Sequence, residues 1–114
     1  MLTLEVLENF GVDTKEGLNR CMNNEGFYFR MIKLGLSNAY FDTLGTALEG
    51  GNMEEAFEAA HALKGVIGNL ALTPIYDPLA DMTEMLRAKK QADYVEIYRP
   101  IKEMRDKLLG MLNG

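Results

Sequence analysis

Apolar residues recur at three- and four-residue intervals along nearly the whole chain, the period of helices buried on one side. Leu4, Leu7 and Phe10 share a face over residues 4–10, with Thr3 placed to cap that short helix and Gly11 to end it. Asp13 and Glu16 form a capping pair for a second short helix over residues 14–22, expected to bury Leu18, Cys21 and Met22. From Asn23-Asn24 to about residue 48, the spacing of Phe27, Met31, Leu34, Tyr40 or Phe41, Leu44 and Leu48 predicts one long helix. Gly50-Gly51 stop it, and Gly35 inside it marks either a bend or a close helix contact. Asn52 and Glu55 are the next capping pair, opening a helix that runs to about residue 70.

Thr73-Pro74 and Asp77-Pro78 compete as start signals for the following helix. The expectation is an irregular first turn from Thr73 and a regular helix from Pro78 to about residue 88, with Leu79, Met82, Met85 and Leu86 inward. Lys89-Lys90-Gln91 is a polar turn. A last helix over residues 92–112 carries Val95, Tyr98, Ile101, Met104, Leu108 and Met111, with Pro100 expected to kink it. No strand alternation, internal repeat or low-complexity tract interrupts the pattern. The predicted fold class is all-α: an antiparallel up-down four-helix bundle with two short N-terminal helical segments, one domain over residues 1–114.

One predicted helix is unlike the others. Its stretch AAHALKGVIGNLAL, residues 59–72, holds the chain's only histidine. At about 100° per residue, Ala56, Ala59, Ala60, Leu63, Val66, Ile67 and Leu70 fall within roughly 60° of one direction. His61 points the other way. Glu54, Phe57, Glu58, Lys64, Gly65 and Gly68 surround it at one- and two-turn spacings. The imidazole is therefore expected in solvent, with a lysine one turn on and two glycines leaving the surface bare.

Composition narrows what that face can do. A chain of 114 residues, 47% hydrophobic and 25% charged, can bury a core without staples. Its net charge of −5 argues against a nucleic-acid surface, which needs basic residues. No apolar run approaches the ~18 residues of a membrane span, and the N-terminus lacks the order of a signal peptide. A single cysteine, Cys21, leaves no internal disulfide and fits a reducing compartment. A soluble cytoplasmic protein is expected.

A lone helical histidine is ordinarily a solvated surface group or a satisfied core group. The core version conflicts with the position of His61 opposite the apolar stripe. As a metal set, Glu54, Glu58 and His61 are weak, with no second histidine. No serine or cysteine nucleophile has the local context of a triad, and no phosphate loop of the GxxxxGK[ST] kind is present. What remains is histidine as nucleophile. A neutral imidazole has one ring nitrogen with a free lone pair, and attack on an activated phosphoryl group gives a labile phosphoramidate. Lys64 suits the offsetting of phosphoryl charge. Gly65 and Gly68 each cost helix propensity, roughly 1 kcal/mol, and in return clear the surface for a partner. Phe57, apolar on a polar face, suits docking.

At these residues the chain resembles a known family. His61-Ala62-Leu63-Lys64-Gly65, followed by Asn69-Leu70, is similar to the H-x-L-K-G signature of histidine-containing phosphotransfer (HPt) domains. Gly11-Val12-Asp13 with Glu16-Gly17-Leu18, the aromatic-rich segment after them, and residues 79–86 also resemble that family's layout, so the resemblance spans essentially the whole chain. It implies a phosphorelay intermediate that takes a phosphoryl group from a receiver-domain aspartate, or from a hybrid kinase, and passes it to another receiver. By position, His61 would carry the group on Nε2, Lys64 would help hold it and Gly65 would give access, with Glu54, Phe57, Glu58 and Gly68 as partner-binding residues. No cofactor is implied in the chain itself; Mg²⁺ would come from the partner receiver. Such a chain is a covalent carrier rather than an enzyme with ATP-dependent kinase activity.

Two residues depart from the family pattern. Val66 stands where serine or alanine is frequent, and Ala71 where glycine is usual. Val66 falls on the buried side, so it bears on packing; Ala71 is expected to end its helix less sharply. A different function class stays open beside phosphotransfer, a bundle that binds receiver domains without accepting phosphate. A dimeric phosphotransferase would need a second apolar stripe, and a monomer is expected.

Overall fold

The computed structural model describes residues 3–113. Among them lie seven helices: α1 (Leu4–Asn9), α2 (Thr14–Arg20), α3 (Glu25–Leu36), α4 (Tyr40–Glu49), α5 (Met53–Asn69), α6 (Thr73–Arg87) and α7 (Tyr94–Asn113), with no strand among the described residues. The all-α class is therefore as predicted, with one more helix than the pattern implied. α5 packs on α4 and α6, and α7 packs on α6, α4 and α3. Between them lies a core that includes Tyr28, Ile32, Phe41, Leu44, Leu63, Ile67, Leu79, Met82, Ile101 and Leu108.

The long helix expected through residue 48 is two helices. α3 ends at Ser37, and Asn38 starts the next turn by accepting a hydrogen bond from the Tyr40 backbone N–H at 2.8 Å. The break is held from α7. Arg105 Nη1 donates to the Leu36 carbonyl at 3.1 Å and its guanidinium lies over the Phe41 ring; Tyr98 donates its hydroxyl to the Phe41 carbonyl at 2.7 Å. The Leu36 carbonyl, freed at the end of α3, needs such a donor, whereas the Phe41 carbonyl lies in the first turn of α4 and takes the Tyr98 hydroxyl as an added tie to α7. These two donors come from residues nearly sixty or more positions away, which no local period reports.

Gly35 is a close helix contact rather than the bend itself. A Cβ there would sit 2.6 Å from Leu70 Cδ1 and 3.3 Å from Val66 Cγ1, so the missing side chain is what lets α3 approach α5. The inward face of α3 is correspondingly Tyr28, Ile32 and Leu36, with Phe27 and Met31 only part-buried and Leu34 61% exposed. Phe41 rather than Tyr40 enters the core.

Other expectations need smaller corrections. Met22 is 80% exposed, because the chain turns into the left-handed region at Met22 and Asn23 after α2. Leu18 is part-buried and Cys21 is buried as expected. α6 is helical from Thr73, with Pro74 in its first turn and Pro78 inside it. Pro78 is exposed, and its ring leaves the Pro74 carbonyl without its usual helical donor. α7 starts at Tyr94, two residues later than predicted, behind Asp93, whose side chain accepts from the Glu96 backbone N–H. It runs through Pro100, and Val95 lies on its outer side, 39% exposed.

α5 has well-made ends. Asn52 Oδ1 accepts from the Glu55 backbone N–H at 3.1 Å, the cap its sequence predicts; the Asn52 side-chain amide also donates to the Glu55 carboxylate, while its backbone N–H goes to the Ala47 carbonyl. At the other end Ala71 adopts φ +57°, its N–H bonded to the Gly68 carbonyl and the Leu72 N–H to the Ile67 carbonyl. That is a Schellman ending built on alanine instead of glycine. The turn is as sharp as glycine would make it, at the cost of left-handed backbone in an L-residue.

Candidate functional site

α5 presents the two faces its period predicts. Ala56, Ala59, Ala60, Leu63, Ile67 and Leu70 are buried and Val66 is half-buried against Gly35. On the opposite face His61 is exposed. Its ring stacks on that of Phe57, one turn earlier, with centroids 5.7 Å apart and planes 17° from parallel. Stacking of this kind restrains the imidazole while the residue stays exposed.

Behind Phe57 stands Arg87 of α6, its guanidinium carbon 4.9 Å from the ring centroid. Arg87 Nε lies 3.2 Å from one oxygen of Glu84, and the other oxygen of Glu84 lies 3.9 Å from Lys64 Nζ. His61, Phe57, Arg87, Glu84 and Lys64 thus form a chain of contacts that leaves α5, crosses α6 and returns to α5 one turn beyond the histidine. Arg87 and Glu84 were not anticipated from sequence. Their one signal is an acidic and a basic residue three apart on the polar side of α6, which says nothing about the helix they face.

The two glycines differ. A Cβ on Gly65 would meet nothing within 4 Å, so packing does not require glycine there. On Gly68 it would lie 2.9 Å from Cε1 of Tyr76, so the space this glycine leaves is filled by a ring of α6. The expected bare surface is therefore found at Gly65 and not at Gly68. Glu54 and Glu58 are exposed. Glu54 borders, with Phe57 and Arg87, a depression that continues to Met53, Tyr94 and Val95, and together with Glu58 it also lines a hollow on the α4 side near Tyr40 and Thr43. Among the described residues no three His, Cys, Asp or Glu side chains converge as a metal ion would require, and no helix is long and apolar enough to cross a membrane.

The C-terminal end of α5 is locked by residues from the N-terminal segments. The buried Tyr28 hydroxyl donates to the Leu70 carbonyl at 2.8 Å, Arg20 Nη1 donates to the Gly68 carbonyl at 2.7 Å, and the Asp13 backbone N–H donates to the Ala71 carbonyl at 3.2 Å. Burial, with smaller contributions from Cys21 and Asp13, pushes the Tyr28 phenol up to about 12, so it remains a donor throughout the neutral range.

The family model of the Hpt domain matches residues 34–111, from the end of α3 through nearly all of α7. The chain belongs to the Hpt domain family. Hpt domains are phosphocarriers that work with receiver domains in phosphorelays. Neither the curated proteins nor the solved structures yield a match. The matched residues include all of α4, α5 and α6, hence His61 and every residue in the chain of contacts around it. They leave out α1, α2 and most of α3, so the donors Asp13, Arg20 and Tyr28 that close the end of α5 stand outside the matched part, as does the Gly11–Leu18 likeness.

Proposed function

We propose that this chain is a phosphorelay intermediate, a single phosphotransfer domain in which His61 accepts a phosphoryl group from a receiver domain's aspartyl phosphate, or from a hybrid kinase, and yields it to another receiver. The observation that carries this is an exposed imidazole stacked on Phe57 within an Hpt-matched helix, next to a lysine and an open glycine. The lone pair of His61 Nε2 attacks phosphorus in line with the acyl phosphate bond. The N–P bond forms as the P–O bond to the receiver's carboxyl breaks, and the electron pair of that bond leaves on the carboxylate. The ring proton stays on Nδ1, so the product is a phosphoimidazolium and no proton has to move during transfer. Onward transfer is the same step reversed, with the second receiver's carboxylate as nucleophile.

Each neighbour has a part. Phe57 restrains the ring, which lowers the entropy lost on reaching the in-line geometry. Lys64 donates to the phosphoryl oxygens as charge develops on them. Gly65 lets the receiver's loops approach within contact distance, and the apolar edge of Met53, Phe57 and Val95 meets the receiver's apolar surface. Mg²⁺, held by the receiver, offsets charge on the same oxygens. The chain adds no kinase activity of its own, acts in the cytoplasm where Cys21 stays a thiol, and meets its receivers as a monomer.

Incubation with phosphorylated receiver domains is expected to label the chain with an acid-labile, alkali-stable phosphate, and His61→Gln to abolish the label. Undiminished labelling of that variant rejects the assignment. A wild-type chain that binds receivers but takes no label would instead be a receiver-binding decoy.

A further inference from the structure

We infer that Glu84 is a positioning residue for phosphotransfer: the resident anion that holds Lys64 and Arg87 until a phosphoryl group on His61 replaces it. The inference rests on the phosphorelay function proposed above. One carboxylate here serves two cations, with Oε2 3.2 Å from Arg87 Nε and Oε1 3.9 Å from Lys64 Nζ. The cations reach the histidine by separate routes. Lys64 stands one turn along α5, and Arg87 covers the Phe57 ring that stacks on His61. A dianionic phosphoryl group on the imidazole would therefore add a second, stronger anion beside a cluster whose cations are already paired with Glu84.

The partners are unequally free to move. The Lys64 side chain is 25% exposed and that of Glu84 58%, so the lysine stem is the more tightly held and the carboxylate is the group that can swing away. Ion pairs this exposed are weak, and a doubly charged phosphoryl group at bonding distance displaces them. Once displaced, the Glu84 carboxylate remains next to the phosphoryl group and repels it. Glu84 thus orders the cations before transfer and limits the stability of phosphohistidine afterwards. Both effects keep the phosphoryl group easy to hand on.

The test uses the full chain and potassium phosphoramidate as donor, where the His61 nitrogen attacks phosphorus and ammonia leaves. Two quantities are read: the fraction of His61 phosphorylated at equilibrium, and the rate at which label is lost after the donor is removed. Glu84→Gln is expected to raise the first and slow the second by about two- to fivefold, the range an exposed ion pair can supply. The difference should shrink in high salt. Glu84→Asp, which keeps the charge, should stay within about twofold of wild type. In a Lys64→Ala/Arg87→Ala background Glu84→Gln should lose most of its effect, which a merely structural role would not require. A labelled wild type matched by Glu84→Gln, or an equal effect in the double-alanine background, overturns the inference alone. A wild type that takes no label from phosphoramidate or from a phosphorylated receiver overturns the phosphorelay function and this inference together.

Discussion

The middle of α5 and its C-terminal end are held in opposite ways. Around His61 the contacts are exposed: a stacked ring, a guanidinium over that ring, and a carboxylate shared between two cations. At Gly68–Leu72 they are largely backbone carbonyls closed by donors from α2, α3 and the α1–α2 turn, one of them a fully buried tyrosine. Exposed ion pairs exchange partners at little cost, whereas a buried carbonyl deprived of its donor carries the full desolvation penalty. One helix is therefore fixed at its C-terminal end and left rearrangeable on the face that carries His61. The proposed phosphoryl acceptance, which asks for accurate presentation and fresh bonding in each cycle, would be served by that division.

The contrast can be broken in either region, and the largest effect is expected at the fixed one. In Gly17→Ala the added Cβ collides with the Tyr28 phenol, so the hydroxyl must leave the Leu70 carbonyl. Urea denaturation should show a loss of about 2–3 kcal/mol, while phosphoryl acceptance by the folded protein stays within about twofold of wild type. A matching collapse in transfer would mean that the two regions are not independent. Lys64→Ala should do the reverse. Transfer from a phosphorylated receiver slows by about 10- to 100-fold, with stability changed by less than about 0.5 kcal/mol. If helical content falls instead, Lys64 belongs to the scaffold.

Smaller changes sharpen the fixed end. Tyr28→Phe removes the donor but keeps the ring, and should cost about 1–2 kcal/mol in the same denaturation experiment. Because the Tyr28 phenol is raised to about 12 in the folded protein from an ordinary value of 10, its contribution is intact below pH 10 and is lost as pH rises toward 12. Stability should therefore fall over that interval with a slope of about 1.4 kcal/mol per pH unit from this residue. Tyr98, raised further by its own burial, adds to the alkaline loss, so Tyr28→Phe should flatten the curve without abolishing it. The smallest effect is a gain. Ala71→Gly relieves the left-handed backbone at φ +57° and should raise stability by about 0.5–1 kcal/mol. No gain would show that neighbouring contacts already compensate the strain.

Much of this was legible along the chain. The caps at Thr3, Asp13 and Asn52 form as predicted because a capping side chain bonds to a backbone N–H three residues away, within reach of local sequence alone. The two faces of α5 were legible for a related reason: a 17-residue helix with six apolar positions in one stripe, continued by Leu70 at its C-cap, has one way to be buried. The α3–α4 break was harder. Phe27, Met31 and Leu34 keep helical spacing as well as Tyr28, Ile32 and Leu36 do, and the choice between the two stripes falls to whichever packs on Leu70 and α7.

What the sequence by itself determined is the helical class, most helix starts, the burial of one side of α5 and the exposure of His61 beside Lys64 and Gly65. All of these follow from local hydrogen bonding and from a 3.6-residue period. Only the tertiary structure decided that Gly65 is open while Gly68 is filled by Tyr76, that Arg87 and Glu84 of α6 join the histidine's surroundings, and that Arg20 and Tyr28 close the end of its helix. Each of those depends on how two helices are rotated and how far they slide against one another. Packing across the core sets both, and no period along a single chain records them.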